Sequence, residues 1–162
     1  PQIVDASSGE AIYTTEINCA AVAPDNILWV GTSDGLAKTS DQGRTWTVYR
    51  TFEPAGRQGI PETYAYPNPF SPLRHNLIGG DGHVRLQYRL AQPATVSVAV
   101  YDFGMNLVKW IVSDQMRSPA GDHAEVWDGR NALGDIVANG VYFYRIDIGN
   151  QDPLWGKILV VN

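Results

Sequence analysis

Short apolar runs rich in Val, Ile, Tyr and Trp recur along the whole chain, cut about every ten residues by Gly, Asp, Asn or Pro. β-Branched and aromatic side chains suit a pleated, half-buried surface, and turn formers at this spacing leave room only for short strands. An all-β protein is therefore expected. The stretch "ALGDIVANG" (132–140) admits a helical-turn reading, but its glycines and central Asp make it a loop.

With 44% of its 162 residues apolar, the chain holds enough material for one large or two small packed domains. The net charge is −5 and the 12 basic residues are scattered, so no basic stripe faces a phosphate backbone and nucleic acid is excluded as a partner. No apolar segment approaches the length that spans a bilayer. The chain opens at Pro1 in mid-pattern, which reads as a mature or cleaved piece of a longer protein, with loss of an initiator Met as the alternative.

From the N-terminus to about Glu53, "INCAAVAPDN", "ILWVGTSDG", "LAKTSDQG" and "RTWTVYRTF" predict four short strands. Turns at Asp25-Asn26, Asp34-Gly35 and Gln42-Gly43 join them into a four-stranded meander. In "SDQGRTW", Asp41 is placed to hold nearby backbone amides, Gly43 to take positive φ and Trp46 to pack beneath the hairpin. "LWVGTSDGLAKTSDQGRTW" resembles one blade of the sensor-type and sialidase-like β-propellers, with Trp29, Gly31, Thr32, Gly35, Ser40, Asp41, Gly43 and Trp46 at the recurring positions. In those families the repeated Asp turn is structural, and a sialidase's arginine cluster and Tyr nucleophile come from several blades. The resemblance thus implies a blade without glycosidase activity. A propeller needs several blades to close, and there is room here for one. The single cysteine, Cys19, lies in "INCAAVAP", where small apolar neighbours predict a buried strand and an inert thiol.

Residues 54–63, within "EPAGRQGIPET", read as a linker, rich in Pro and Gly and without periodicity. Residues 64–162 then carry about seven strands. Alternation is clear at Val84, Leu86, Tyr88 and Leu90 and at Val96, Val98 and Val100, which predicts two antiparallel sheets packed face to face. "YPNPF" (66–70) reads as an entry strand on a sheet edge, because its prolines fix φ and withhold amide donors. "NGVYFYRI" alternates with apolar residues on both faces, the mark of a central or covered strand beginning after Gly140. Trp127 is expected between the sheets.

"WDGRNALGD" (127–135) has two readings. In one, Gly129 and Gly134 shape a tight hairpin whose Asp side chains cap free amides; in the other, Asp128, Asn131 and Asp135 ligate a Ca²⁺ ion. No other cofactor is indicated. Catalytic patterns are missing: His75, His83 and His123 are not at metal-ligand spacing, and no nucleophile elbow or phosphate-cradling glycine loop is present.

The pieces "YPNPF", "YDFG" (101–104), "AGDH" (120–123), "WDGRNALGD" and "NGVYFYR" together resemble the C-terminal sorting domain of the type IX secretion system and the related immunoglobulin-like domain of the flagellar hook-capping protein. Two departures are an insertion-like "SPLRHNLIGGDGH" and a "GKILVVN" ending where a Lys or Arg pair is frequent. The resemblance implies a non-enzymatic immunoglobulin-like sandwich, a secreted or cell-surface location, and secretion or anchoring machinery as partner.

Three functions follow as expectations. The chain is the C-terminal end of a larger surface protein, its last blade followed by a sorting or anchoring domain. Alternatively it is a whole filament subunit that polymerises head to tail through open sheet edges, with Ile3, Val4, Ile12 and Tyr13 as a donor segment. A third reading is a carbohydrate-binding module using Trp110, Trp155, Tyr142 and Tyr144, against which core packing competes at each position.

Overall fold

The computed structural model describes every residue except 1, 8, 10, 13, 33, 50–54, 57, 58, 78 and 119. Apart from one 3-10 turn at Pro24–Asn26, the regular structure of the described residues is strand, as an all-β chain requires. The chain forms two compact units, Pro1–Phe52 with Asn76–Asp81 and Glu53–His75 with Gly82–Asn162. The expected linker groups with the second unit, and its residues 54, 57 and 58 lie outside the described residues, as do 50–52 of the fourth expected strand.

The first unit is a sheet of four strands in chain order: β1 (Ile17–Ala23), β2 (Ile27–Thr32), β3 (Gly35–Thr39) and β4 (Thr47–Tyr49). Every pair is antiparallel. Asp25 and Asn26 both take positive φ (65° and 57°), which turns β1 back onto β2 with the twist a hairpin favours. Val30, Ala37 and Ile12 are buried, and on the sheet Trp29 lies against Tyr49 with Lys38 over its ring.

The two edges of this sheet differ. Along β4, Asp5 bridges Trp46 in parallel, the Ala6 amide donates to the Trp46 carbonyl and the Val48 amide donates to Asp5 Oδ2. The segment expected to be a free donor is therefore spent inside its own unit, with Ile12 buried; Tyr13 lies outside the described residues. Among the described residues β1 pairs only with β2, and its residues are exposed from Ile17 through Val22. This corrects the expectation for Cys19, which is exposed. An apolar strand is buried only when something packs on it, and among the described residues of this unit nothing does.

The second unit is a sandwich of a three-stranded sheet, β5-β6-β9, and a four-stranded sheet, β11-β10-β7-β8. In chain order these are β5 (Thr63–Tyr66), β6 (Val84–Leu90), β7 (Ala94–Tyr101), β8 (Leu107–Arg117), β9 (Gly121–Trp127), β10 (Gly140–Ile148) and β11 (Leu154–Val160). Alternation sends Val84, Leu86, Tyr88 and Leu90 of β6 into one core with Val96, Val98 and Val100 of β7 and Tyr144, Ile146 and Ile148 of β10. Burying one such side chain contributes about 1.5–3 kcal/mol, so this layer dominates the unit's stability. β6 is buried on both faces, Arg85 and Gln87 included.

"YPNPF" does more than enter a sheet. It leaves β5 through cis peptides at Tyr66–Pro67 and Asn68–Pro69, and Phe70 then pairs in parallel with Val160 of β11. The prolines have no N–H to offer, and the Asn68 side chain supplies what they lack, donating to the Lys157 carbonyl (3.0 Å) and accepting from the Leu159 amide (2.9 Å). One short stretch thus belongs to one sheet and closes the edge of the other.

Candidate functional site

The β3–β4 turn is built around one carboxylate. Asp41 Oδ1 accepts from the Arg44 and Thr45 amides and from Thr39 Oγ1, and Oδ2 accepts from Thr45 Oγ1. These bonds, led by the Thr45 hydroxyl, hold the Asp41 pKa down to about 2. Gly43 takes φ 85° and donates its amide to Thr39 Oγ1, and the half-buried Trp46 donates its indole N–H to the Gly43 carbonyl. The hydroxyl that completes the turn is Thr39, one residue before the Ser40 singled out by the blade pattern. Every bond is internal, so the turn fixes backbone and offers no chemistry.

The second turn behaves likewise. Trp127 is fully buried, donates to the Arg130 carbonyl, and stands between Phe70 and Tyr142 with ring centroids at 6.2 and 5.6 Å. Asn131 Oδ1 accepts from the Leu133 and Asp135 amides, while Gly129 and Gly134 take φ 70° and 90°. Gly129 has a second reason to lack a side chain, since a Cβ would strike Pro72 and Phe70. Asp128 accepts the Arg130 amide and both its oxygens receive the Lys109 ammonium at 3.0 Å. Of the side chains in the calcium reading, Asp128 is met by the Lys109 ammonium and Asn131 turns its oxygen to backbone. Among the described residues no three His, Cys, Asp or Glu side chains form a metal-sized group. Gly140 opens β10.

Several buried polar groups are also committed. Glu125 receives Arg117 through Nε (2.7 Å) and Nη2 (3.0 Å) and the Tyr88 hydroxyl (2.9 Å), joining β8 to β9 and β6. Burial raises the Tyr88 hydroxyl pKa, and the Glu125 charge raises it further. Tyr144 shares a hydrogen bond with Thr63 and is pushed up to about 12 by burial. His75 accepts the Ser71 amide and His123 stacks on Tyr88. This cluster was not visible in the sequence, because its members lie 8 and 37 residues apart and carry no local motif.

The four proposed glycan contacts separate cleanly. Tyr142 and Tyr144 face the core, with Tyr142 donating to the Ala138 carbonyl, so they are corrected to packing residues. Trp110 and Trp155 are exposed, at 47% and 45%. They share the outer face of the four-stranded sheet, where pairing sets Trp155 opposite Arg145, Arg145 opposite Ala99 and Ala99 opposite Trp110.

Sheet order and the two-layer core define an immunoglobulin-like sandwich. Residues 74–152, just under half of the chain, match the family described as the FlgD Ig-like domain. The match supports an immunoglobulin-like domain of the flagellar hook-capping type, a structural and non-enzymatic family. No curated protein matches the chain. No helix among the described residues is long and apolar enough to cross a membrane.

Proposed function

We propose that the chain is a non-catalytic part of a secreted or cell-surface protein, in which the sandwich serves sorting, attachment or assembly and the four-stranded meander is a propeller-type blade. The observation that carries this is β1. Its seven residues, "INCAAVA", hold no charge and no proline, its outer edge is unpaired, and six of the seven are exposed. Proteins guard such an edge with charge, proline or a covering segment. Here the opposite edge is covered by the chain's own N-terminal segment, while β1 is left for a neighbour. In a larger propeller that neighbour is another blade.

The same edge favours a second reading, a filament subunit joined through β1. Light scattering across a concentration series, with electron microscopy of the same sample, separates the two. A monomer at every concentration is expected for the blade reading, and long assemblies replace it with the filament. The sorting role has its own test: the full chain is fused behind a fluorescent reporter in a bacterium with type IX secretion. Reporter on the cell surface is expected, and reporter retained in the periplasm ends the sorting proposal.

A further inference from the structure

The outer face of the four-stranded sheet carries a row that core packing does not explain. Register aligns Trp155, Arg145, Ala99 and Trp110 across β11, β10, β7 and β8. Three strand intervals put the backbones of the two tryptophans about 14 Å apart. Ala99, although it points away from the core, is 1% exposed between Arg145 and Trp110. Arg145 lies over the Trp155 ring at 5.9 Å and is held by Asp147 through two hydrogen bonds of 2.7 and 2.9 Å, while Tyr101 braces Trp155 at 5.7 Å. Both rings are exposed, and that of Trp155 is also fixed in place.

Exposed tryptophans on a sheet are costly to leave in water, and fixing Trp155 adds an entropic cost that a merely tolerated surface residue does not carry. Flat aromatic faces held apart on a rigid sheet match the apolar C–H faces of pyranose rings, and a fixed Arg–Asp pair offers donors and acceptors for ring hydroxyls. The charged groups of the face are Arg145 and Lys157 against Asp147 and Asp114, and they sum to zero; Asp114 is placed there by its hydrogen bonds with Ser97, the residue opposite Asp147. A neutral ligand suits this balance better than a polyanion. At the Trp155 end the face runs into an open groove of about 470 Å³ lined also by Tyr64, Asn68, Phe143 and Lys157. We propose that this face binds a neutral polysaccharide chain, laid across the strands with Trp155 and Trp110 as stacking platforms.

The test is affinity electrophoresis of the full chain in gels containing hydroxyethyl cellulose, xylan, glucomannan or, as the anionic control, alginate. Titration of tryptophan fluorescence with the same polymers gives the affinity. Retardation in at least one neutral gel is expected, weakened about tenfold by Trp110→Ala and again by Trp155→Ala. Leu133→Ala, an exposed apolar residue of the β9–β10 loop, is expected to bind as the parent does. Circular dichroism and melting of each variant show that the fold is kept, and Trp→Phe at either position restores part of the affinity. Free migration in all three neutral gels overturns the proposal, as does retardation in alginate alone or retardation unchanged in the double Trp variant. A concentration-dependent mass that the Trp variants abolish, without polysaccharide binding, assigns the face to protein contact instead.

Discussion

At the scale of single residues, the informative side chains are those whose partners are backbone or buried charge. Asp41 is half-buried and organises a turn, and its pKa is about 2 against 3.8 for the unfolded chain. A carboxylate lowered in this way stabilises the fold above the unfolded value, and that contribution is lost as pH falls from about 3.8 through about 2. Asp41→Asn is therefore expected to lower the melting temperature at pH 7 and to narrow the gap from the parent as pH is taken from 5 to 2. A constant gap over that range rules out the ionised carboxylate as the source. Glu125 is the buried counterpart. Glu125→Ala strands a guanidinium and a phenol together and is expected to cost about 2–3 kcal/mol in urea unfolding. Replacing the pair by Glu125→Leu with Arg117→Met is expected to cost less than the single change, because no unpaired charge remains. A double variant worse than the single would mean that the ion pair itself, with its hydrogen bonds, holds β8 to β9.

Among the elements, β10 and β11 show how one missing atom sets a layer. Gly156 faces Tyr144 across the pair, and a Cβ there would enter the buried phenol ring. Gly156→Ala is expected to destabilise by about 1–3 kcal/mol, seen as a lower urea midpoint with unchanged slope. An unchanged midpoint would show that the ring has room to move. On β1 the expectation concerns association: Val22 is 73% exposed, so Val22→Lys leaves the unfolding midpoint alone but raises the temperature at which scattering begins. Equal onset in both proteins would acquit this edge. Much of the element level was legible in the chain. Alternation in β6 and β7 marked their inward residues, and positive φ at Asp25, Asn26 and Gly43 falls where turn formers stood. β8 was harder. Val98 pairs with Val112 and Ala99 with Trp110, so Ile111 is an extra residue; both Ile111 and Val112 pack on the core while Trp110 is exposed. A bulge shifts the face of everything beyond it, and no residue in "LVKWIVS" announces one.

For the whole molecule, the two units differ in how much core each owns. The sandwich buries a continuous set of side chains from both sheets, whereas the meander buries few large ones and leaves a strand in water. Hydrogen exchange is therefore expected to protect peptides from β6, β7 and β10 longest and to release β1 to β4 first. Uniform protection would mean that the units unfold as one. Local chemistry determined the all-β class, the turns and the inward alternation, because steric preference and side-chain capping act within a few residues of sequence. The tertiary structure alone decided that Asn68 completes β11, that Arg117 finds Glu125 and Tyr88, that Cys19 is exposed, and that Trp110 and Trp155 stand in one row while Tyr142 and Tyr144 turn inward. Each of those outcomes depends on strand register and on which surfaces meet, and these are set by packing between segments far apart in the chain.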